Sequence, residues 1–189
     1  MTKINRGLVM FLILVIFMIG LHFLDTHILV QHEGNEAEIA YSSHHPAPDF
    51  TVCDSDGTDI RLANSYPKPA VVYFWASWDE VSRNLLPVFQ ELYLEYGDSI
   101  QFVMVDLTDG TRETRETAEA YLSEKGYDFP VYYDIYGSAK AAYGARSIPA
   151  VYFINSSFEL IARANGSMTE ELLEKGLMMA LDPETSPAE

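Results

Sequence analysis

Ala70-Val71-Val72-Tyr73-Phe74 is an unbroken apolar run that passes through two tryptophans, Trp75 and Trp78, straight into a helical pattern. A run with no polar position marks a strand buried on both faces. Behind it Val81, Leu85, Val88, Phe89, Leu92 and Tyr96 recur at helical spacing from about Asp79 to Tyr96, and Gly97 follows as a stop signal. Pro87 lies inside that helix and is expected to kink it, because it removes one backbone N–H. A doubly buried strand that turns at once into a helix belongs in a sheet with helices packed against it.

The rest of the chain supplies the partners for that unit. Phe50 to Cys53 alternates, Asp54-Ser55-Asp56-Gly57 is a turn, and Ile60-Arg61-Leu62 alternates again, which spells a hairpin. Phe102-Val103-Met104-Val105 is a second buried strand. Arg112 to Lys125 follows as a helix ended by Gly126. Phe129 to Tyr132 opens a short strand, Ser138 to Tyr143 a helical turn, and Val151 to Ile154 a further strand after Ile148-Pro149. Asn155-Ser156-Ser157 turns into Glu159 to Ala162. Ser167 and Glu170 have the spacing of a capping box for a last helix reaching about Leu181. This order predicts an α/β fold, a mixed central sheet with helices on both faces.

Upstream, Gly7 to Leu24 contains no charged residue. At about 1.5 Å per residue it would cover roughly 27 Å, close to the hydrocarbon thickness of a bilayer. Lys3 and Arg6 precede it and acidic residues follow, so the positive-inside rule places the N-terminus in the cytoplasm and the remainder outside. The expected division is a cytoplasmic end (1–6), a single transmembrane anchor (7–24), a polar tether (25–46), a globular domain (47–181) and a frayed tail (182–189). Four histidines in or near the tether, His27, His32, His44 and His45, have no fixed geometry there, so neither a metal site nor a cofactor is expected. The chain holds 28 acidic and 12 basic residues, a formal net charge of −16, which repels nucleic acid. Cys53 is the single cysteine, so no intrachain disulfide can form.

Phe74-Trp75-Ala76-Ser77-Trp78-Asp79-Glu80-Val81-Ser82-Arg83 resembles the Phe-Trp-Ala-Ser-Trp-Cys-x-x-Cys-Arg signature of membrane-bound thiol–disulfide oxidoreductases, the TlpA/ResA-like branch of the thioredoxin superfamily. Pro87, Phe129-Pro130, Tyr143-Gly144 and Ile148-Pro149 follow in the order that family shows. The resemblance implies a thioredoxin fold with an added N-terminal hairpin from Ala47 to Leu181. It also implies a cis peptide before Pro149, beside an edge that takes up extended peptides. In the matched motif the two cysteine positions are Asp79 and Ser82.

Dithiol exchange needs a thiolate that attacks a disulfide and a second thiol that resolves the mixed product. A carboxylate oxygen is a poor nucleophile toward sulfur, and Ser82 has no comparable anion near neutral pH. Asp79 is expected instead to cap the helix, satisfying its free N–H groups and dipole. With Trp78, Glu80 and Ser82 it would form a polar recognition patch, and Ile148 and Pro149 would border it. Family members often carry Asp or Asn where Tyr73 stands. Alternation that turns Phe50 and Val52 inward turns Cys53 outward, open to an intermolecular disulfide.

Three functions compete on this reading. One is a redox-inactive module that binds a protein or peptide outside the cytoplasm while tethered to the membrane. Another is a thiol–disulfide oxidoreductase or peroxiredoxin-like enzyme acting through Cys53 or with a partner's cysteines. The third is a structural subunit of a membrane complex. The absence of a cysteine pair favours the first.

Overall fold

The computed structural model describes residues 38–65 and 68–181. The expected anchor (7–24), most of the tether and the tail (182–189) lie outside the described residues. Among the described residues no helix is long and apolar enough to cross a membrane.

In chain order the elements are β1 (Ala40–Pro46), β2 (Thr51–Cys53), β3 (Asp59–Arg61), a 3-10 turn at Leu62–Ser65, β4 (Ala70–Trp75), α1 (Glu80–Tyr96), β5 (Gln101–Asp106), α2 (Arg115–Lys125), β6 (Val131–Tyr133), α3 (Ser138–Tyr143), β7 (Ala150–Ile154), β8 (Glu159–Asn165) and α4 (Glu170–Leu181). The strands form one eight-stranded sheet ordered β1-β8-β7-β4-β5-β6-β2-β3. β4, β5 and β6 are parallel, while β7 runs antiparallel to β4. The hairpin is therefore not an appendage: β2 joins the sheet through Cys53, which pairs with Tyr133 of β6.

β4 sits between β5 and β7, and all six of its residues are buried. Its alternation sorts the core into two layers. Val71, Tyr73 and Trp75 pack with Leu85, Leu86, Phe89 and Leu92 of α1, Ala118 of α2, and Leu173 and Leu177 of α4. Val72 and Phe74 pack on the other face with Phe50, Val52 and Leu62, and with Ala139 and Tyr143 of α3. Fully burying a Leu or Phe side chain stabilises a fold by about 1.5–3 kcal/mol, so these two layers fix which way α1 leaves the strand.

Several boundaries differ from the sequence reading. Residues 40–46, expected in the tether, form β1 against β8, with Ala40 opposite Arg163 and Pro46 opposite Glu159. Pairing to a β8 already held by β7 extends the sheet by an edge strand that has no periodic apolar signal of its own. α2 starts three residues later than expected, because Thr114 caps it through the Thr117 N–H and Thr117 returns the bond. At α4 the Leu172 N–H donates to the Thr169 hydroxyl at 3.3 Å, so Thr169 rather than Ser167 supplies the cap. Gly97 ends α1 with a right-handed φ of −59°; a Cβ there would stand 2.6 Å from the Tyr93 carbonyl oxygen, so close approach accounts for that glycine.

Gly176 of α4 lies against the ring of Phe153, and a Cβ would fall 2.2 Å from its Cζ. Both residues are in the core, so neither can yield cheaply. Gly176→Ala is expected to destabilise the protein by about 1–3 kcal/mol, read as a lower urea midpoint; an unchanged midpoint would contradict the packing described.

Candidate functional site

The carboxyl end of β4 delivers Ala76, Ser77, Trp78 and Asp79 to the start of α1. Asp79 has extended backbone angles and is the N-cap, as expected: its Oδ2 accepts the Ser82 N–H at 2.7 Å. Such a cap stabilises a helix by about 0.5–2 kcal/mol. Ser82 occupies the inward side of the first turn and is fully buried, so it cannot belong to an exposed recognition patch. Burial follows from Tyr73 below it, whose hydroxyl donates to the Ser82 carbonyl at 3.0 Å. Burial pushes the Tyr73 phenol well above its ordinary range, and its committed hydroxyl serves as a strut rather than a proton carrier.

The Ile148–Pro149 peptide is cis, as the resemblance implies. Ala150 pairs with Phe74 in antiparallel register, which sets Pro149 at the end of β4 from which α1 departs. Pro149 is buried, Ile148 and Asp79 are half-buried, and Trp78 and Glu80 are exposed. The candidate binding residues thus share one end of the sheet, with Ser82 and Pro149 beneath the surface.

Cys53 departs from expectation. It is buried, at 4% exposure, and its thiol donates to Asp59 Oδ1 at 3.3 Å. The hairpin continues the sheet, so the face expected to meet solvent is covered: Cys53 lies in register with Tyr133, above which Arg115 sits while bonding the Ser55 carbonyl. Burial, with the Asp59 carboxylate second, pushes the thiol up from its ordinary pKa. A raised thiol pKa lowers the thiolate fraction, and with it nucleophilicity.

A second loop, between β5 and α2, completes the site and was not singled out by sequence. Asp109 Oδ1 accepts the N–H groups of Thr111, Arg112 and Glu113 at 2.7–2.9 Å, and these backbone bonds hold its carboxyl down at about 2. Glu113, fully buried, accepts the Ser77 N–H at 3.0 Å and the Ser77 hydroxyl at 2.9 Å, and the Thr117 hydroxyl at 3.1 Å on its other oxygen. That carboxylate latches the loop to the β4–α1 turn. Arg112 stacks on Trp78, its guanidinium carbon 3.4 Å from the ring centroid. The Asp109-Gly110 pair, a turn signature, was the legible signal for this loop; the helical periodicity assigned from Arg112 onward hid it.

Asp106 ends β5, in register with Trp75 on one side and Tyr133 on the other. It is fully buried; Thr108 donates to one carboxyl oxygen at 2.7 Å, and the other has no partner. Burial raises its pKa to about 8; the Thr108 bond opposes the rise, and the charges of Glu113 and Asp109 add to it. Away from this end, a cavity of about 120 Å³ lies between the hairpin and the start of β5, lined by Phe50, Val52, Ile60, Leu62, Val103 and Tyr132 among others; none of the site residues above lines it.

An eight-stranded mixed sheet, helices on both faces and a cis-proline turn beside the first long helix define a thioredoxin-like α/β protein. Solved structures agree: StoA from Bacillus subtilis superposes with a TM-score of 0.60 at 27% identity, covering 71% of this chain and 98% of that one. A DsbE-like thiol:disulfide interchange protein from Chlorobium tepidum superposes at 0.66 with 23% identity, covering 75% and 99%. The sequence matches the AhpC/TSA family over residues 44–162, and the chain belongs to that family. The thiol–disulfide oxidoreductase ResA of Oceanobacillus iheyensis is 30% identical over 133 residues, 68% of this chain and 67% of the relative.

Asp106 generates a pH prediction. An acid whose folded pKa of about 8 exceeds its unfolded value binds more protons when folded. Stability therefore falls as pH rises between the unfolded value, near 4, and about 8, by up to about 1.4 kcal/mol per unit. Urea unfolding from pH 5 to 8 is expected to show this slope in the wild type and a shallower one in Asp106→Asn; equal slopes would contradict the assignment.

Proposed function

We propose that this protein is a thioredoxin-like binding module without thiol-exchange activity of its own, held at the membrane by residues 7–24 with its domain outside the cytoplasm. The single observation that carries the reading is Asp79: at the position matching the attacking cysteine of the family, a carboxylate caps α1 by accepting the Ser82 N–H at 2.7 Å. That helix start has the free N–H groups and positive dipole end that stabilise a thiolate, and here they serve a group that cannot reduce a disulfide. Ser82, at the second position, is fully buried. A fold kept around a replaced pair suits recognition, with Trp78, Asp79, Glu80 and Ile148 as the accessible surface and Ser82 and Pro149 supporting it from below.

A second reading draws on the names of the relatives, ResA of O. iheyensis and the sporulation thiol–disulfide oxidoreductase A of B. subtilis among them. On that reading the chain takes part in thiol exchange through Cys53 or with a partner's cysteines. The buried, upward-shifted thiol of Cys53 speaks against the first route; the second would still use this chain for recognition.

An insulin-reduction assay with dithiothreitol on the full chain separates the two readings. The wild type is expected to match the no-protein blank and Asp79→Cys/Ser82→Cys to exceed it clearly. Wild-type turnover abolished by Cys53→Ser would replace the proposal with the enzymatic reading.

A further inference from the structure

Arg112 is exposed and its guanidinium carbon stands over the Trp78 ring, 3.4 Å from the centroid, at the rim of the site where α1 begins. The chain holds 28 acidic residues and only 12 basic ones, so acids to pair with are plentiful. The carboxylates around it are already committed. Asp109 is taken up by three backbone N–H groups of its own loop. Glu113 is held by Ser77 and Thr117, and Asp79 by the Ser82 N–H. Glu116 is drawn to the α2 start and the Thr114 hydroxyl. Among the described residues the Arg112 guanidinium makes no ion pair.

Stacking fixes the plane of the guanidinium while leaving its N–H edge free, the arrangement that accepts a carboxylate through two parallel bonds. The platform is rigid from both sides, because Glu113 ties the loop carrying Arg112 to Ser77, the residue before Trp78. We infer that Trp78 and Arg112 form a receptor for a single carboxylate on a protein segment, within the binding surface proposed above and dependent on that reading. The net charge of −16 selects against a polyacidic segment. The occupant is thus one Asp or Glu side chain in otherwise basic surroundings.

The test uses the full chain and two probes, acetyl-Lys-Lys-Glu-Lys-Lys-amide and the same peptide with Gln in place of Glu, followed by tryptophan fluorescence at roughly 0.15 M ionic strength. The Glu peptide is expected to bind about fivefold or more tightly than the Gln peptide. Arg112→Gln should erase that difference, and Arg112→Lys, which keeps the charge but not the fork, should retain part of it. Equal binding of both peptides by the wild type, or a preference that survives Arg112→Gln, would overturn the inference and leave the binding-module reading standing. Failure of both peptides to bind at millimolar concentration also overturns it. The insulin assay involves neither Arg112 nor these peptides, so it decides the broader reading separately.

Discussion

The burial of β4 on both faces is the constraint on which the rest of the structure depends. Every residue from Ala70 to Trp75 is inaccessible, and its two edges are taken up by a parallel and an antiparallel neighbour. A strand so enclosed can release the chain only at its ends. At the carboxyl end the next residues must rise out of the sheet, and α1 begins there with its free N–H groups pointing at whatever the turn presents. The register of β7 brings the cis-proline turn to the same end, and β5 brings the loop of Asp109, Arg112 and Glu113. The site is a consequence of three strands ending together.

The chemistry of that end is a distribution of carboxylates among donors. Asp79 serves α1, Glu113 serves the turn before it, and Asp109 serves its own loop. Asp79 and Glu113 satisfy N–H or hydroxyl groups that would otherwise be left half-buried without partners, while Asp109 orders an exposed turn. Asp106 differs: one oxygen is bonded to Thr108 and the other to nothing, in a place where an ion would be costly. It is held toward the neutral acid, alongside an indole nitrogen of Trp75 that is also unpartnered. Two buried polar atoms without partners at one end of the sheet cost stability.

The parts legible in the sequence are those whose signals are local. The apolar run of β4, the helical spacing of α1 and the turn residues at Gly57 and Gly126 gave the strands and helices of the central sheet nearly in place. The resemblance added the cis bond at Pro149. What escaped was set by tertiary pairing. β1 has no periodic pattern and exists because β8 offers an open edge. Cys53 alternates outward on its own strand, yet the hairpin's attachment to β6 and the reach of Arg115 bury it. Ser82 reads as part of a surface in the sequence, because helical spacing does not say which side of a first turn meets the sheet. Glu113 and Ser77 are separated by α1 and β5 in the sequence, and no periodicity connects them.

The account rests on the claim that the native protein presents no reactive thiol. Titration with 5,5′-dithiobis(2-nitrobenzoic acid) tests it most directly, because the chain has one cysteine and the answer is a single release curve. The buried, Asp59-bonded Cys53 is expected to give almost no thionitrobenzoate in the folded full chain, and one equivalent at once in guanidinium chloride. A full equivalent released rapidly from the folded protein would contradict the account, placing a usable nucleophile at Cys53 and making thiol exchange this protein's own chemistry.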